Sequence, residues 1–95
     1  MEKSEHFFYV VTCRDGSLYA GYTNNLERRI MLHNKGKGAK YTRSRGPVAL
    51  TFYKGYDNKS DAMSAEYYFK KLSRKQKIEF LMEEMGGYHV AAEKF

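Results

Sequence analysis

The chain has 95 residues, 42% hydrophobic and 16% aromatic, and carries a net charge of +6. That length supports one domain with one modest core, and the apolar content excludes a disordered chain. No run approaches the ~18 apolar residues that span a bilayer, and the single cysteine, Cys13, excludes an internal disulfide.

The first residues, Met1-Glu2-Lys3-Ser4-Glu5, carry acid and lack an apolar segment, so no secretory signal is expected. With a lone thiol, this predicts a reducing, cytoplasmic location. Residues 6–13 are β-branched and aromatic and read as a strand. Arg14-Asp15-Gly16 is the turn, and residues 17–22 return as a second strand. A three-residue loop with Gly16 left-handed pairs Cys13 with Ser17, Val11 with Tyr19 and Tyr9 with Gly21. Tyr9 and Tyr19 then share one sheet face as diagonal neighbours. A two-residue Asp15-Gly16 loop would place them on opposite faces. The dipeptide permits either; the three-residue loop is preferred because it alone brings the hydroxyls together.

Asn24, with Glu27 three residues on, has the pattern of a capping box and predicts a helix start. Leu26 and Ile30 face the core, Arg29 and His33 flank that stripe, and Gly36 and Gly38 end the helix. Pro47 precedes a third strand over residues 48–56, whose alternation sets Val48, Leu50 and Phe52 against Ala49, Thr51 and Tyr53. Asn58 caps the next helix, with Ala62, Ala65, Phe69 and Leu72 as its apolar stripe and Glu66 beside it. Ser73 and Gln76 form another capping box and start a last helix, with Ile78, Leu81, Met82 and Met85 inward and Gly86-Gly87 as its stop. The order is β-β-α-β-α-α. The expectation is a single α+β domain over residues 1–95, a three-stranded antiparallel sheet flanked by helices. Its core covers about residues 6–85, and the tail beyond Tyr88 is expected to be mobile.

The charge is uneven. Between Arg28 and Tyr56 there is no Asp or Glu, while Arg28, Arg29, Lys35, Lys37, Lys40, Arg43, Arg45 and Lys54 all fall there. Such a run presents a positive surface, for which phosphate backbones are the commonest partner. The alternative is a solvated basic face with no ligand. A membrane surface fits poorly, because the run has no helical apolar face.

The chemistry of the scattered polar groups points the same way. Phosphodiester cleavage needs an activated water, compensation of the added negative charge and help for the leaving oxygen. Glu66 could hold one Mg²⁺ through a single carboxylate, the other positions being filled by water and substrate phosphate. Arg29 offers a planar fork matched to phosphate oxygens. Tyr9 and Tyr19 supply hydroxyls, and His33 could orient or deprotonate one of them. Each has a plainer alternative. The tyrosines could be packed strand aromatics, Arg29 a solvated helix residue, His33 a packing histidine, and Glu66 an exposed acid paired with Lys70.

In this order and spacing the sequence resembles the GIY-YIG nucleases, which include the N-terminal incision domain of a bacterial excision-repair protein and phage homing endonucleases. It looks closest to small single-domain bacterial members. Phe7-Phe8-Tyr9 stands where the first triplet falls and Tyr19-Ala20-Gly21 where the second falls. Arg29 lies ten positions after Tyr19, His33 matches a frequent histidine, and Glu66 in Ala65-Glu66-Tyr67 matches the metal-binding glutamate. Gly38-Ala39-Lys40-Tyr41-Thr42 resembles a stretch of the small members. The first triplet keeps only its tyrosine, and Tyr22 stands where the excision-repair domain has a lysine.

The resemblance implies a metal-dependent DNA endonuclease with Tyr9, Tyr19, Arg29, His33 and Glu66 as catalytic candidates. Glu66 would be the ligand of one Mg²⁺ or Mn²⁺, and one of the tyrosines the base. Arg28, Lys35, Lys37, Lys40, Tyr41, Arg43 and Arg45 are the candidate nucleic-acid contacts, with Tyr41 able to stack on an unpaired base. With no second domain to read sequence, a preference for DNA structure or strand breaks is expected, in repair or recombination. A protein partner for targeting fits; a small-molecule substrate and a membrane do not. When bound to DNA the protein would associate with the nucleoid. The alternatives are a non-catalytic nucleic-acid-binding module and a protein-interaction domain that uses exposed aromatics.

Overall fold

A computed structural model describes residues 5–85. The expected tail and the Gly86-Gly87 stop lie outside them, as does the side chain of Met85. The elements are β1 (His6–Thr12), β2 (Leu18–Thr23), α1 (Leu26–Asn34), β3 (Ala49–Tyr56), α2 (Lys59–Lys70) and α3 (Arg74–Met85). They form an α+β domain in the order β-β-α-β-α-α, around an antiparallel sheet with strand order β2-β1-β3.

β1 is central because its sequence is apolar on both faces, as a strand covered twice must be. Phe8 and Val10 join Ala20, Phe69 and Leu81 in one core, beneath α2 and α3. Tyr9 and Val11 join Cys13 and Val48 in the other, with Leu26 and Ile30 of α1 packed against them. The hairpin adopts the three-residue loop. Cys13 N–H donates to Ser17 O at 2.8 Å, Gly16 N–H donates to Cys13 O at 2.9 Å, and Gly16 has φ 86°. Tyr9 pairs with Gly21 and Val11 with Tyr19, so both tyrosines lie on the α1 face.

Three local expectations are corrected. The first helix starts one residue later than expected: Asn25, not Asn24, is its cap, and Asn25 Oδ1 accepts from Arg28 N–H at 3.1 Å. Thr23 Oγ1 accepts the Asn25 N–H at 3.1 Å, which fixes this entry, so the Asn24/Glu27 box does not form. The even alternation of the third strand is broken by a bulge. Val10 pairs with Phe52 but Val11 pairs with Leu50, leaving Thr51 extra. Val48 and Phe52 therefore enter opposite cores, and Leu50 is exposed. In α3, Met82 is exposed and Phe80 takes the inward place. Its ring meets Phe8, Phe52 and Phe69 at 5.6–6.5 Å between centroids. The bulky ring gains more from that aromatic cluster than the thioether would.

The other caps form as expected. Asn58 Oδ1 accepts from Asp61 N–H at 2.8 Å, and Ser73 and Gln76 bond reciprocally at 3.0 and 3.2 Å. No helix among the described residues is long and apolar enough to cross a membrane.

Candidate active site

β2 is an edge strand, so side chains from helices on either face of the sheet can meet around it. Tyr9 reaches this place from the middle of β1. Its phenol crosses directly over its partner Gly21, where any Cβ would meet Tyr9 Cζ at 2.6 Å and the hydroxyl oxygen closer still. Gly21 is therefore required by the path of the Tyr9 ring. Gly21→Ala is expected to cost about 1–3 kcal/mol through overpacking, read from urea denaturation, with loss of the Tyr9 hydroxyl contacts. Unchanged stability would show that the buried ring has somewhere to go.

From α1, residues four apart converge on that one hydroxyl. Arg29 Nε–H donates to Tyr9 Oη at 3.2 Å, and His33 Nε2 lies 2.8 Å from it on the other side. The direction of each bond follows from the far end of the chain. Thr42 Oγ1 donates its one proton to Ala39 O at 3.1 Å, so it must accept from His33 Nδ1–H at 2.7 Å. Neutral His33 then presents a bare Nε2, which accepts the proton of Tyr9. The run is Arg29 to Tyr9 to His33 to Thr42 to Ala39, every bond donated in the same sense. Gly38 completes the cradle, since a Cβ there would overlap the His33 ring.

Burial governs the electrostatics. His33 is 1% exposed, and its pKa is pushed down to about 4 by desolvation, with the Arg29 charge adding to it. It is therefore neutral at pH 7, as the hydrogen bonds require. Burial also raises the pKa of the Tyr9 phenol, opposed by its bond to Arg29. Burial pulls the Arg29 guanidinium down, but the tyrosines beside it outweigh this and keep it charged.

Tyr19 is half-buried at the edge of the cluster. Its ring meets His33 edge-on at 5.4 Å and stacks on Tyr41 at 5.9 Å. Lys70 Nζ sits 5.4 Å from its centroid and bonds Glu66 at 2.7 Å. The Glu66 charge reaches Tyr9 as well. Tyr9, Tyr19, Arg29 and His33 are thus brought together, with Glu66 at their rim.

The basic candidates divide. Arg28, Lys35, Lys37, Lys40 and Arg43 are exposed. Arg45 is instead engaged within the protein. It pairs with Asp15 at 3.2 Å, donates to Tyr41 O at 2.7 Å and lies 4.1 Å from the Tyr41 ring centroid. Tyr41, though 41% exposed, already has an aromatic partner in Tyr19 and a cation in Arg45. A base stacking on it would have to displace one of them. Thr42 is a polar site member that the sequence did not single out. The signal was present in Gly38-Ala39-Lys40-Tyr41-Thr42, which supplies the His33 cradle, the Ala39 acceptor, the Tyr19 stack and the Thr42 hydroxyl in five residues.

Glu66 is the carboxylate available for a metal here; among the described residues no three His, Cys, Asp or Glu side chains cluster to hold an ion. One carboxylate suits Mg²⁺, which keeps several waters. Lys70 Nζ bonds it at 2.7 Å, so a cation there would take the place of that lysine. The donor set fits a sparsely ligated hard cation.

Comparison with known proteins bears on the family. The chain matches the family model of the GIY-YIG catalytic domain over residues 5–79. It is 59% identical over 95 residues to a UPF0213 protein of Bacillus cereus, covering 100% of this chain and 97% of that one. It is 60% identical over 83 residues to the UPF0213 protein YazA of Bacillus subtilis, covering 87% of this chain and 84% of that one. Among solved structures, it resembles the solution structure of EF2693 from E. faecalis, with a TM-score of 0.60, 48% identity and 88% of each chain covered. It also resembles that of the UPF0213 protein BH0048 from Bacillus halodurans, with a TM-score of 0.57, 46% identity and 95% of each chain covered. The chain belongs to the GIY-YIG catalytic domain family.

Proposed function

We propose that the protein is a metal-dependent DNA endonuclease, directed to strand breaks or unusual DNA structures in repair or recombination. The observation that carries this reading is the convergence of the Tyr9 hydroxyl, the Arg29 guanidinium and the His33 imidazole, with Tyr19 and Glu66 beside them.

Arg29 uses one N–H on Tyr9, which aims its remaining N–H groups, and these bind the scissile phosphate. Because this placement exists before substrate arrives, the charge that builds on the phosphate is met without reorganisation. Tyr9 is fully buried and its proton is held by His33, so its part is to position Arg29. Tyr19, half-buried at the edge, is the phenol that a water at the phosphate reaches. After giving its own proton to solvent, the Tyr19 phenolate takes the water's proton and becomes a phenol again. Hydroxide adds to phosphorus as the bond to the 3′ oxygen breaks, leaving a 5′-phosphate and, after protonation, a 3′-hydroxyl. A divalent cation held by Glu66 would supply Lewis-acid charge at the phosphate and leaving oxygen.

The test is nicking of supercoiled, branched and flapped DNA with Mg²⁺ or Mn²⁺. Cutting that needs the metal, and that falls at least a hundredfold in Glu66→Gln while DNA binding is kept, supports the enzyme. Salt-sensitive binding without metal-dependent cutting on any of these substrates would leave a non-catalytic nucleic-acid-binding module.

A further inference from the structure

On the Arg29 side of the cluster lies a cleft of about 300 Å³, between the β2–α1 turn and the start of α2. Its lining includes Tyr22, Asn24, Arg28, Arg29 and Lys59. Three of its side chains are cations and none is an acid. Among the described residues neither Arg28 nor Lys59 takes part in an ion pair; those formed, Arg45–Asp15 and Lys70–Glu66, lie elsewhere. Like charges lining one concave surface repel, and a concave, low-dielectric wall focuses their field on whatever enters. Such an arrangement attracts an anion.

The cleft is held in place from several sides. His6 Nδ1 bonds the Tyr22 hydroxyl at 2.7 Å, and Lys59 Nζ lies 5.7 Å from the Tyr22 ring centroid. Arg28 leaves the first turn of α1, where its own N–H is tied to Asn25. Arg29, which also holds Tyr9, forms the wall between this cleft and the tyrosine cluster. α2 connects the two places as well. Lys59 and Glu66 are seven residues apart, on one stripe of the helix, and about 10 Å apart along its axis.

We propose that Arg28 and Lys59 form a second phosphate site, which grips a phosphodiester on the flank of the one bound at Arg29 and so sets the path of the strand across the domain. The link to one strand rests on the endonuclease reading; the anion site does not. Lys59 is the informative member, because it lies outside the acid-free basic run and comes from a different element.

Three measurements test it on the full chain. Inorganic phosphate titrated into ¹⁵N-labelled protein should shift the amides of residues 23–28 and Lys59, and Arg28→Gln with Lys59→Gln should abolish those shifts. Binding of a short single-stranded oligodeoxynucleotide, followed from 50 to 300 mM salt, should lose about 0.7–1 from the slope of log K against log salt in the double variant. In cutting assays the loss should fall on KM, by about tenfold, because a flanking contact is the same in ground and transition states. Absence of phosphate shifts in the parent protein, or an unchanged salt slope in the double variant, overturns the site. Phosphate shifts and a reduced slope in a protein that cuts no DNA would leave the site standing and remove the endonuclease.

Discussion

Arg29→Ala is expected to lower metal-dependent DNA cutting by about a thousandfold, the upper end for loss of one preorganised donor to a developing oxyanion. The guanidinium donates to Tyr9 Oη at 3.2 Å and carries the fork proposed to bind the scissile phosphate, so the order of the cluster and the charge on the phosphate are lost together. Its removal leaves the fold standing. Arg29 is half-buried, and Tyr9 keeps its bond to His33. Lysine should rescue poorly, because an ammonium cannot bond the Tyr9 oxygen and present a fork to phosphate at the same time. The measurement is single-turnover cleavage, with circular dichroism to check folding and gel shift to check binding. Cutting within tenfold of the parent would remove Arg29 from the chemistry and with it the proposed role of the cluster.

Stability should fall by up to about 3 kcal/mol between pH 6.5 and pH 4 because of His33 alone. In the folded protein its pKa is held down to about 4, against about 6.5 in an unfolded chain. Above pH 6.5 the imidazole is neutral in both states and the full stability is present. As the pH falls, the unfolded state takes up the proton first, which favours unfolding until the folded protein also binds it near pH 4. The geometry gives the same sign, since a proton on Nε2 would remove the acceptor for Tyr9 and set a buried cation beside the half-buried Arg29. Against a typical domain stability of about 5–15 kcal/mol, this loss is large. Urea denaturation of the parent and of His33→Gln at pH 7.5, 6, 5 and 4 measures it. Parallel curves for the two proteins would contradict the assignment of His33 as a buried neutral imidazole.

Much of the architecture is legible in the amino-acid sequence, because it is written in local chemistry. Gly16 alone accepts the left-handed conformation that the three-residue hairpin loop needs, and that loop sets Tyr9 opposite Gly21. Asn58, and Ser73 with Gln76, satisfy free amides within three residues of themselves, so their helices start where the sequence places them. The four-residue spacing of Arg29 and His33 already puts both on one helix face. What needs the folded chain is what depends on groups far apart in sequence. Thr23 moves the α1 cap from Asn24 to Asn25. The bulge at Thr51 answers to the pairing of β3 with β1, which no alternation within β3 reveals. Phe80 displaces Met82 because three other aromatic rings, from three different elements, surround its place. The proton direction from Tyr9 through His33 is decided by a buried threonine nine residues beyond that histidine and by the carbonyl it bonds. Residue type and spacing determine which groups can act; only packing across the sheet edge determines which of them touch, and which way each hydrogen bond points.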